Sequence, residues 1–164
     1  MGTEQSAWLL LSDHGVAISL VRQSPLSLSL CVPSAFALKI ASLLVPNGLF
    51  VLSVDHPIAT AAWGVHPIVV KSERNPTEAL YFPLDRYGDQ GERSAKYYIE
   101  NVIKYHRRVD TYVNTFLAAG LVLERMLEPR ASNDMEARCP ELKTWRRKPL
   151  FLCLRFRKPK HMDF

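Results

Sequence analysis

An aspartate and a histidine directly follow an apolar run in residues 42–63, SLLVPNGLFVLSVDHPIATAAW. A Pro-Asn-Gly turn ends a helical pattern there, and LFVLSV predicts a buried strand over residues 49–54. Ligands of open α/β sheets bind outside the carboxyl ends of the strands. Asp55 and His56 are therefore the best candidates in the chain for catalytic acid or base chemistry. The structural alternative is that His56 only hydrogen-bonds the chain corner before Pro57.

Further candidate side chains lie downstream of this corner. His106 and Arg107 precede a predicted helix and could contact an anionic ligand or a lid segment, the alternative being a structural pair that satisfies loop carbonyls. Four aromatic side chains could line an apolar ligand pocket, the alternative being ordinary burial: Trp63, Tyr81, Tyr97 and Tyr98. Three other histidines have no ligand spacing with Cys, Asp or Glu, which predicts no metal site: His14, His66 and His161.

The residue pattern in the first half of the chain predicts one helix between two buried strands. The first sixteen residues are weakly patterned, and AISLV at 17–21 indicates a short strand. Ser34 is a candidate N-cap of a helix that ends before Pro46. The next strand, 49–54, is apolar throughout. It is therefore expected to be buried on both faces, as in a parallel sheet covered by helices.

The residue pattern in the second half of the chain predicts a long irregular segment, a capped helix and two strands. Residues 56–98 are rich in Pro, Gly and charge, which is typical of a lid or a binding loop. Asp110 is expected to cap a helix that Gly120 ends in a left-handed conformation. A polar loop without a helix signal joins the strands predicted at 121–129 and 149–157. We therefore expect these two strands to form an antiparallel pair.

Composition indicates one domain of 164 residues, of which 48% are hydrophobic and 23% charged. Three widely spaced cysteines fit neither a disulfide framework nor a zinc knuckle, which predicts the reducing cytoplasm. The start of the chain has no basic segment, and prolines interrupt residues 23–54, so we expect neither a signal peptide nor a membrane span. Basic residues are concentrated at 146–160, where the alternating pattern favours a solvated strand face over a nucleic-acid patch.

Four stretches of the sequence, taken together with their order and spacing, form a specific pattern, although no one of them is decisive alone. They are LLVPNGLFVLSVDHPI, then YF at 81–82 with GER at 91–93, then VIKYHRRVDTYVNTFLAAGLVLERMLEP, and finally RRKPLFLCLRFRKP. Together they resemble the carboxyl-terminal half of a small bacterial class I S-adenosylmethionine-dependent methyltransferase. Departures from the family pattern are Asn47 for Gly, Asp55 for Glu, Arg108 for Thr and Asp110 for Ser. The lid also lacks its usual Trp, with Tyr97 or Tyr98 as candidates for that place.

The resemblance implies both a fold and a reaction. The fold is α/β, a partial Rossmann-like methyltransferase sheet whose parallel strands end in an antiparallel pair and are flanked by helices. Residues 33–164 would form this carboxyl-terminal half, and residues 1–32 a divergent or irregular segment. The reaction is methyl transfer from S-adenosylmethionine to an unidentified acceptor, which we expect to be a small molecule. Neither nucleic acid nor a membrane is an expected partner.

The family's glycine-rich loop and ribose-binding acid have no counterpart in this sequence. Close approach of the backbone to a ligand requires glycine, and no two of the seven glycines form a G-x-G. We therefore expect a truncated or divergent methyltransferase that binds no S-adenosylmethionine and is inactive as an isolated chain. The alternative is a non-catalytic interaction protein. It would pair through its sheet edge with itself, as a homo-oligomer, or with a complete methyltransferase.

Overall fold

The computed structural model describes residues 9–12, 15–19, 34–64, 69–75, 78–95 and 102–160. The elements in these ranges are, in chain order, β1 (Leu9–Ser12), β2 (Gly15–Ser19), α1 (Ser34–Leu43), β3 (Leu49–Asp55), α2 (Pro57–Thr60), β4 (Val70–Lys71), β5 (Ala79–Tyr81), β6 (Gly91–Ala95), β7 (Val102–His106), α3 (Val109–Ala118), β8 (Val122–Leu127), α4 (Asn133–Arg138), a 3₁₀ helix (Pro140–Arg147) and β9 (Phe151–Arg157). No helix within these ranges has the length and apolarity needed to cross a bilayer.

Five of the described strands form one sheet in the order β1-β2-β3-β9-β8. The β3–β9 and β9–β8 pairs are antiparallel, which confirms the pair predicted for the last two strands. Val51 and Val122 therefore lie in one sheet, because both strands pair with β9. The expected parallel arrangement is found at the β2–β3 interface alone among the described strands, so the observed fold is a mixed α/β sheet.

A hairpin lies beside β3 at one edge of this sheet. β1 and β2 are antiparallel with Ser12 opposite Gly15, so only two residues connect the strands. β2 then runs parallel to β3 and pairs with it along five residues. The strand predicted at 17–21 overlaps β2, whereas β1 lies in the stretch for which no element was predicted. A run of four apolar or small residues carries too little periodicity to indicate a strand without its partner.

The core lies between one face of the sheet and the helices α1 and α3. Its centre is an aromatic cluster in which the ring of Phe116 lies 4.9 Å from the rings of both Phe50 and Phe156. Val51 points to the opposite face and is 37% exposed. The expectation that β3 is buried on both faces is therefore wrong. A continuous apolar run does not distinguish a strand covered on both faces from one covered on a single face.

One of the two capping predictions for α3 is confirmed by the structure and the other is wrong. Its N-cap is Arg108, which makes no side-chain capping bond, so the prediction that Asp110 caps the helix is wrong. Asp110 lies in the first turn and pairs with the Arg108 guanidinium at 2.6 Å. The predicted end is confirmed, because Gly120 has a φ of 83° and the N–H of Leu121 bonds the carbonyl of Phe116 at 3.1 Å. This is a Schellman end, which favours glycine at the left-handed position.

Two short helices lie in the polar segment before β9, where no helix was predicted. Ser132 caps α4 by accepting a hydrogen bond from the N–H of Met135 at 3.2 Å, and Pro140 begins the 3₁₀ helix. The buried carboxylate of Glu136 pairs with Arg146 and ties the two helices together. With six and eight residues, each helix is too short for apolar periodicity to reveal it.

Residues 56–95, which belong to the segment expected to be a lid or loop, contain α2, β4, β5 and β6. β4 pairs with β5, and β6 pairs with β7. Arg93 of β6 is 4% exposed and donates to the carbonyls of Ala61 at 3.4 Å, Glu92 at 3.0 Å and Asp89. Because the carbonyls of Ala61 and Asp89 belong to two separate stretches of backbone, Arg93 links the end of α2 to the loop before β6.

Candidate functional site

Asp55 lies at the carboxyl end of β3 and pairs with a lysine of β7. Its Oδ2 accepts a hydrogen bond from Nζ of Lys104 at 2.6 Å, and this ammonium also lies 4.4 Å from the centre of the Trp63 ring. The side chains of Lys104 and Asp55 are 17% and 37% exposed, and Trp63 is buried. We call Asp55, Lys104 and Trp63 the Asp55 cluster. It combines a partly accessible carboxylate with a fixed cation and an apolar wall.

Tyr112 of α3 lies near this cluster. Burial raises the pKa of the Tyr112 phenol to about 12, and the negative charge of Asp55 adds to the increase whereas Arg107 opposes it. The hydroxyl therefore stays protonated at neutral pH and can donate or accept a hydrogen bond. Arg107 donates to the carbonyl of His106 at 3.0 Å, which keeps its charge beside the start of α3.

His56 connects β3, α2 and the end of β8. Its Nδ1 accepts a hydrogen bond from the N–H of Ile58 at 3.1 Å, so His56 is the N-cap of α2, and Pro57 occupies the first helical position. Because Nδ1 accepts, Nε2 carries the proton and donates to Oε1 of Glu128 at 3.0 Å. Burial lowers the pKa of His56, and the Glu128 charge opposes this shift. The neutral ring therefore has no free lone pair for an acceptor proton.

His106 is fully buried and also uses both ring nitrogens. Nε2 donates to the carbonyl of Tyr87 at 3.0 Å, and Nδ1 lies 2.8 Å from the hydroxyl of Thr60. A carbonyl only accepts, so the Nε2–H tautomer is assigned and the Thr60 hydroxyl donates to Nδ1. Burial lowers the pKa of His106, and the positive charges of Arg93 and Arg107 act in the same direction. His106 thus joins α2, β7 and the Tyr87 loop as a neutral group.

The structure brings most of the predicted site residues to the carboxyl end of β3. Trp63 reaches Asp55 through Lys104, and His106 reaches α2 through Thr60. Tyr81 is 54% exposed on β5, and no hydrogen bond, ion pair or ring contact among the described residues joins it to Asp55. Tyr97 and Tyr98 lie outside the described residues. The catalytic and acceptor-binding roles assigned from the sequence stay predictions.

Sequence reasoning did not identify Lys104 or Tyr112, and it gave Glu128 no chemistry. The sequence left open whether the stretch that contains VIKYH is a strand or a lead-in; as a strand, its alternation places Lys104 and His106 on one face. Tyr112 stands four residues before Phe116 and shares its helical face. Glu128 has no comparable signal, because its partner His56 is 72 residues away in the chain.

Apart from Lys148, the basic side chains of residues 146–158 have hydrogen-bond or ion-pair partners within the chain. Lys158 donates from Nζ to the carbonyls of Ala41 and Leu44, both at 2.8 Å, and so satisfies the end of α1. Arg147 donates to the carbonyls of Ala79 and Leu80 at 2.6 and 2.7 Å. The remaining arginines pair with carboxylates: Arg146 with Glu136, and Arg155 and Arg157 with Glu124. These contacts give the basic run a role in the fold, while the expectation of no nucleic-acid partner stays a prediction.

Several solved structures are similar to this chain, whereas no protein-family model and no curated protein sequence matches it. A putative S-adenosylmethionine-dependent methyltransferase from Listeria monocytogenes is 28% identical with a TM-score of 0.71, and the match covers 96% of this chain and 64% of that one. An S-adenosylmethionine-dependent methyltransferase from Mesorhizobium loti is 25% identical with a TM-score of 0.70, covering 86% and 60%.

These matches confirm the resemblance at the level of the fold. The chain has a class I S-adenosylmethionine-dependent methyltransferase fold. It spans 64% and 60% of the length of the two neighbours, so it corresponds to a part of each.

The described residues do not fit the donor-binding features that the resemblance implies. The family holds S-adenosylmethionine on a glycine-rich loop after its first strand. In this chain β1 returns directly into the antiparallel β2 through two residues, so this pair forms no strand–loop–helix unit. Among the described glycines, Gly48 is packed so closely that a Cβ would lie 2.7 Å from the carbonyl oxygen of Val45, and it serves the turn before β3.

Proposed function

We propose that this chain forms the acceptor side of an S-adenosylmethionine-dependent methyl-transfer site whose acceptor is a small molecule. The fold that it shares with the two methyltransferases supports the reaction class. The observation that carries the proposal is the Asp55 cluster at the carboxyl end of β3. This is the end of an α/β sheet at which ligands bind.

The cluster suits the demands of methyl transfer on an acceptor. The bound donor supplies the methyl group as a cationic sulfonium, and the protein contributes alignment and a preorganised, water-poor surface. Asp55 uses Oδ2 for Lys104, and its second oxygen is then available to accept a proton or a hydrogen bond from an acceptor hydroxyl or amine. Trp63 supplies an apolar wall, and the protonated Tyr112 hydroxyl supplies a second polar contact.

His56 and His106 act in this proposal as positioning residues. Both rings are buried, both have a lowered pKa, and both nitrogens of each ring are hydrogen-bonded. His56 fixes the corner after Asp55, and His106 fixes α2, from which the chain continues to Trp63. Of the two residues predicted to be catalytic, Asp55 is thus the one with an accessible polar atom.

In this proposal, the residues that bind S-adenosylmethionine are not among the described residues of this chain. We expect a calorimetric titration of the isolated chain with S-adenosylmethionine to give no saturating heat. A chimera supplies the comparison: residues 34–160 replace the segment of the Listeria protein that corresponds to them, and the rest of that protein stays in place. We expect this chimera to bind S-adenosylmethionine and to transfer labelled methyl groups to components of a low-molecular-weight extract.

Asp55→Asn in the chimera should lower transfer by about a hundredfold or more, the contribution typical of a positioned base. Donor affinity should be unchanged, because Asp55 belongs to the acceptor side. Asp134→Asn, at an exposed position in the first turn of α4, is the matched control and should have no effect. A chimera that binds the donor and transfers nothing would refute the proposal, and so would undiminished transfer by the chimera that carries Asp55→Asn.

A second candidate function is a non-catalytic protein that pairs through a sheet edge. Among the described strands, β1 and β8 are the edges of the main sheet, and β8 exposes Val122, Met126 and Leu127 by about half each. A bulge near Glu124 interrupts β8 and opposes such pairing. A dimer in sedimentation velocity that Met126→Lys dissociates would favour this function over the first.

A further inference from the structure

Lys148 is a buried lysine three residues before the start of β9. It is 3% exposed, and none of the ion pairs within the described ranges includes it. Its Nζ lies 5.6 Å from the centre of the Phe82 ring, and the guanidinium of Arg147 lies 5.7 Å from the same ring. The ring of Trp145 is 5.5 Å from Phe82. We call Phe82, Trp145, Arg147 and Lys148 the Lys148 cluster.

The cluster has an excess of positive charge for its degree of burial. Removing an ammonium from water costs several kcal/mol in proteins, whereas an aromatic face returns about 0.5–2 kcal/mol. Arg147 adds a second positive charge and directs its terminal nitrogens to the carbonyls of Ala79 and Leu80, which are neutral. In agreement, burial lowers the pKa of Lys148. An anion beside Lys148 would remove this penalty.

The Lys148 cluster lies at the same end of the sheet as the Asp55 cluster. Phe151 pairs with Asp55, and the carbonyl of Leu150 accepts a hydrogen bond from the N–H of His56 at 2.8 Å. Three residues span at most about 11 Å, and paired strands lie about 5 Å apart, so the Cα atoms of Lys148 and Asp55 are within roughly 16 Å. With the reach of the two side chains, one small molecule can bridge this distance.

We propose that Lys148 binds a carboxylate group of the acceptor, and that the acceptor's aromatic body packs against Phe82 and Trp145. The inference rests on the proposed function and names the substrate class of that site, an aromatic carboxylic acid. A carboxylate matches the Lys148 ammonium, because Arg147, the other cation of the cluster, already directs its nitrogens to the carbonyls of Ala79 and Leu80. The rings of Phe82 and Trp145 are both partly exposed and are tilted by 45° to each other, so they offer apolar ring surface against which an aromatic body can pack.

Benzoate and benzamide test the proposal, because the two probes have nearly the same shape and only benzoate is charged. Thermal unfolding of the full chain is followed with each probe at millimolar concentration. We expect benzoate to raise the melting temperature and benzamide to leave it unchanged. Lys148→Met should abolish the response to benzoate, whereas Lys143→Met, at an exposed position in the 3₁₀ helix, should preserve it.

The Lys148→Met variant also reports on the alternative that Lys148 is a structural residue. Replacing an unpaired buried charge by an apolar side chain of similar volume is often neutral or stabilising. We therefore expect its melting temperature without a probe to equal or exceed that of the parent chain. A lower melting temperature, an equal response to the two probes, or a benzoate response that survives Lys148→Met would overturn the proposal.

The result of the benzoate and benzamide experiment does not depend on the result of the methyl-transfer experiment. Benzoate binding requires neither the donor nor turnover, so a chimera without transfer would leave the carboxylate site standing. Conversely, methyl transfer together with equal responses to benzoate and benzamide would refute the carboxylate site alone.

Discussion

His56→Asn separates the two contacts of the histidine that follows β3. Asparagine is a good N-cap and keeps the bond from the N–H of Ile58, but it is too short to reach Glu128. A hydrogen bond to a charged group contributes about 1.5–3 kcal/mol. The Glu128 side chain is 44% exposed, which reduces this to about 1 kcal/mol. The smaller side chain in a buried place costs about 1 kcal/mol more.

We therefore expect His56→Asn to lower the free energy of unfolding by about 2 kcal/mol. His56→Ala also loses the cap and should cost about 3 kcal/mol. Glu128→Gln keeps an acceptor for Nε2–H and should cost well under 1 kcal/mol. Because the asparagine no longer reaches residue 128, adding Glu128→Gln to His56→Asn should cost almost nothing further.

Urea unfolding followed by tryptophan fluorescence measures these differences, with unchanged m-values as the check that the transition is comparable. Nitrogen-15 spectra of the histidine side chains test the assigned tautomer directly, and we expect the proton on Nε2 at neutral pH. Equal stabilities of the His56→Asn and His56→Ala variants would contradict the capping role. A proton on Nδ1 would contradict the whole arrangement, because the N–H of Ile58 would then face a donor.

Two further predictions concern stability alone. Lys158→Met leaves the carbonyls of Ala41 and Leu44 without their donor and should lower the free energy of unfolding by about 1–2 kcal/mol in urea, whereas the exposed Lys160→Met should have no effect. Burial lowers the pKa of His106 below the ordinary 6.5, so as pH falls through this value the unfolded chain binds the proton first and stability declines. Thermal unfolding across this pH range should show a shallower decline in His106→Asn, and an unchanged decline would contradict the buried neutral ring.

Local patterns predicted the elements that a short window determines. The alternation in LFLCLRFR placed Leu152, Leu154 and Phe156 on one face, and all three are at most 1% exposed in the core. Gly120 ends α3 with a positive φ as expected, because the left-handed position favours glycine over residues with a Cβ. Each of these features depends on neighbours within a few residues, which the sequence displays directly.

Features that depend on a distant partner were missed or misjudged. The run at residues 9–12 becomes a strand because β2 pairs with it, and β2 is held in turn by β3. Asp110 has the residue type of an N-cap, yet the helix begins at Val109 and the carboxylate pairs with Arg108 instead. The pattern of β3 showed that the strand is buried, but it did not show on how many faces.

The sequence by itself determined that an aspartate and a histidine end a buried apolar strand. Only the tertiary structure decided what they meet: Lys104 is 49 residues from Asp55, and Glu128 is 72 residues from His56. The physical reason is that periodicity reports which face a side chain takes within its own element. The order in which strands join a sheet, by contrast, decides which remote side chains meet at its end.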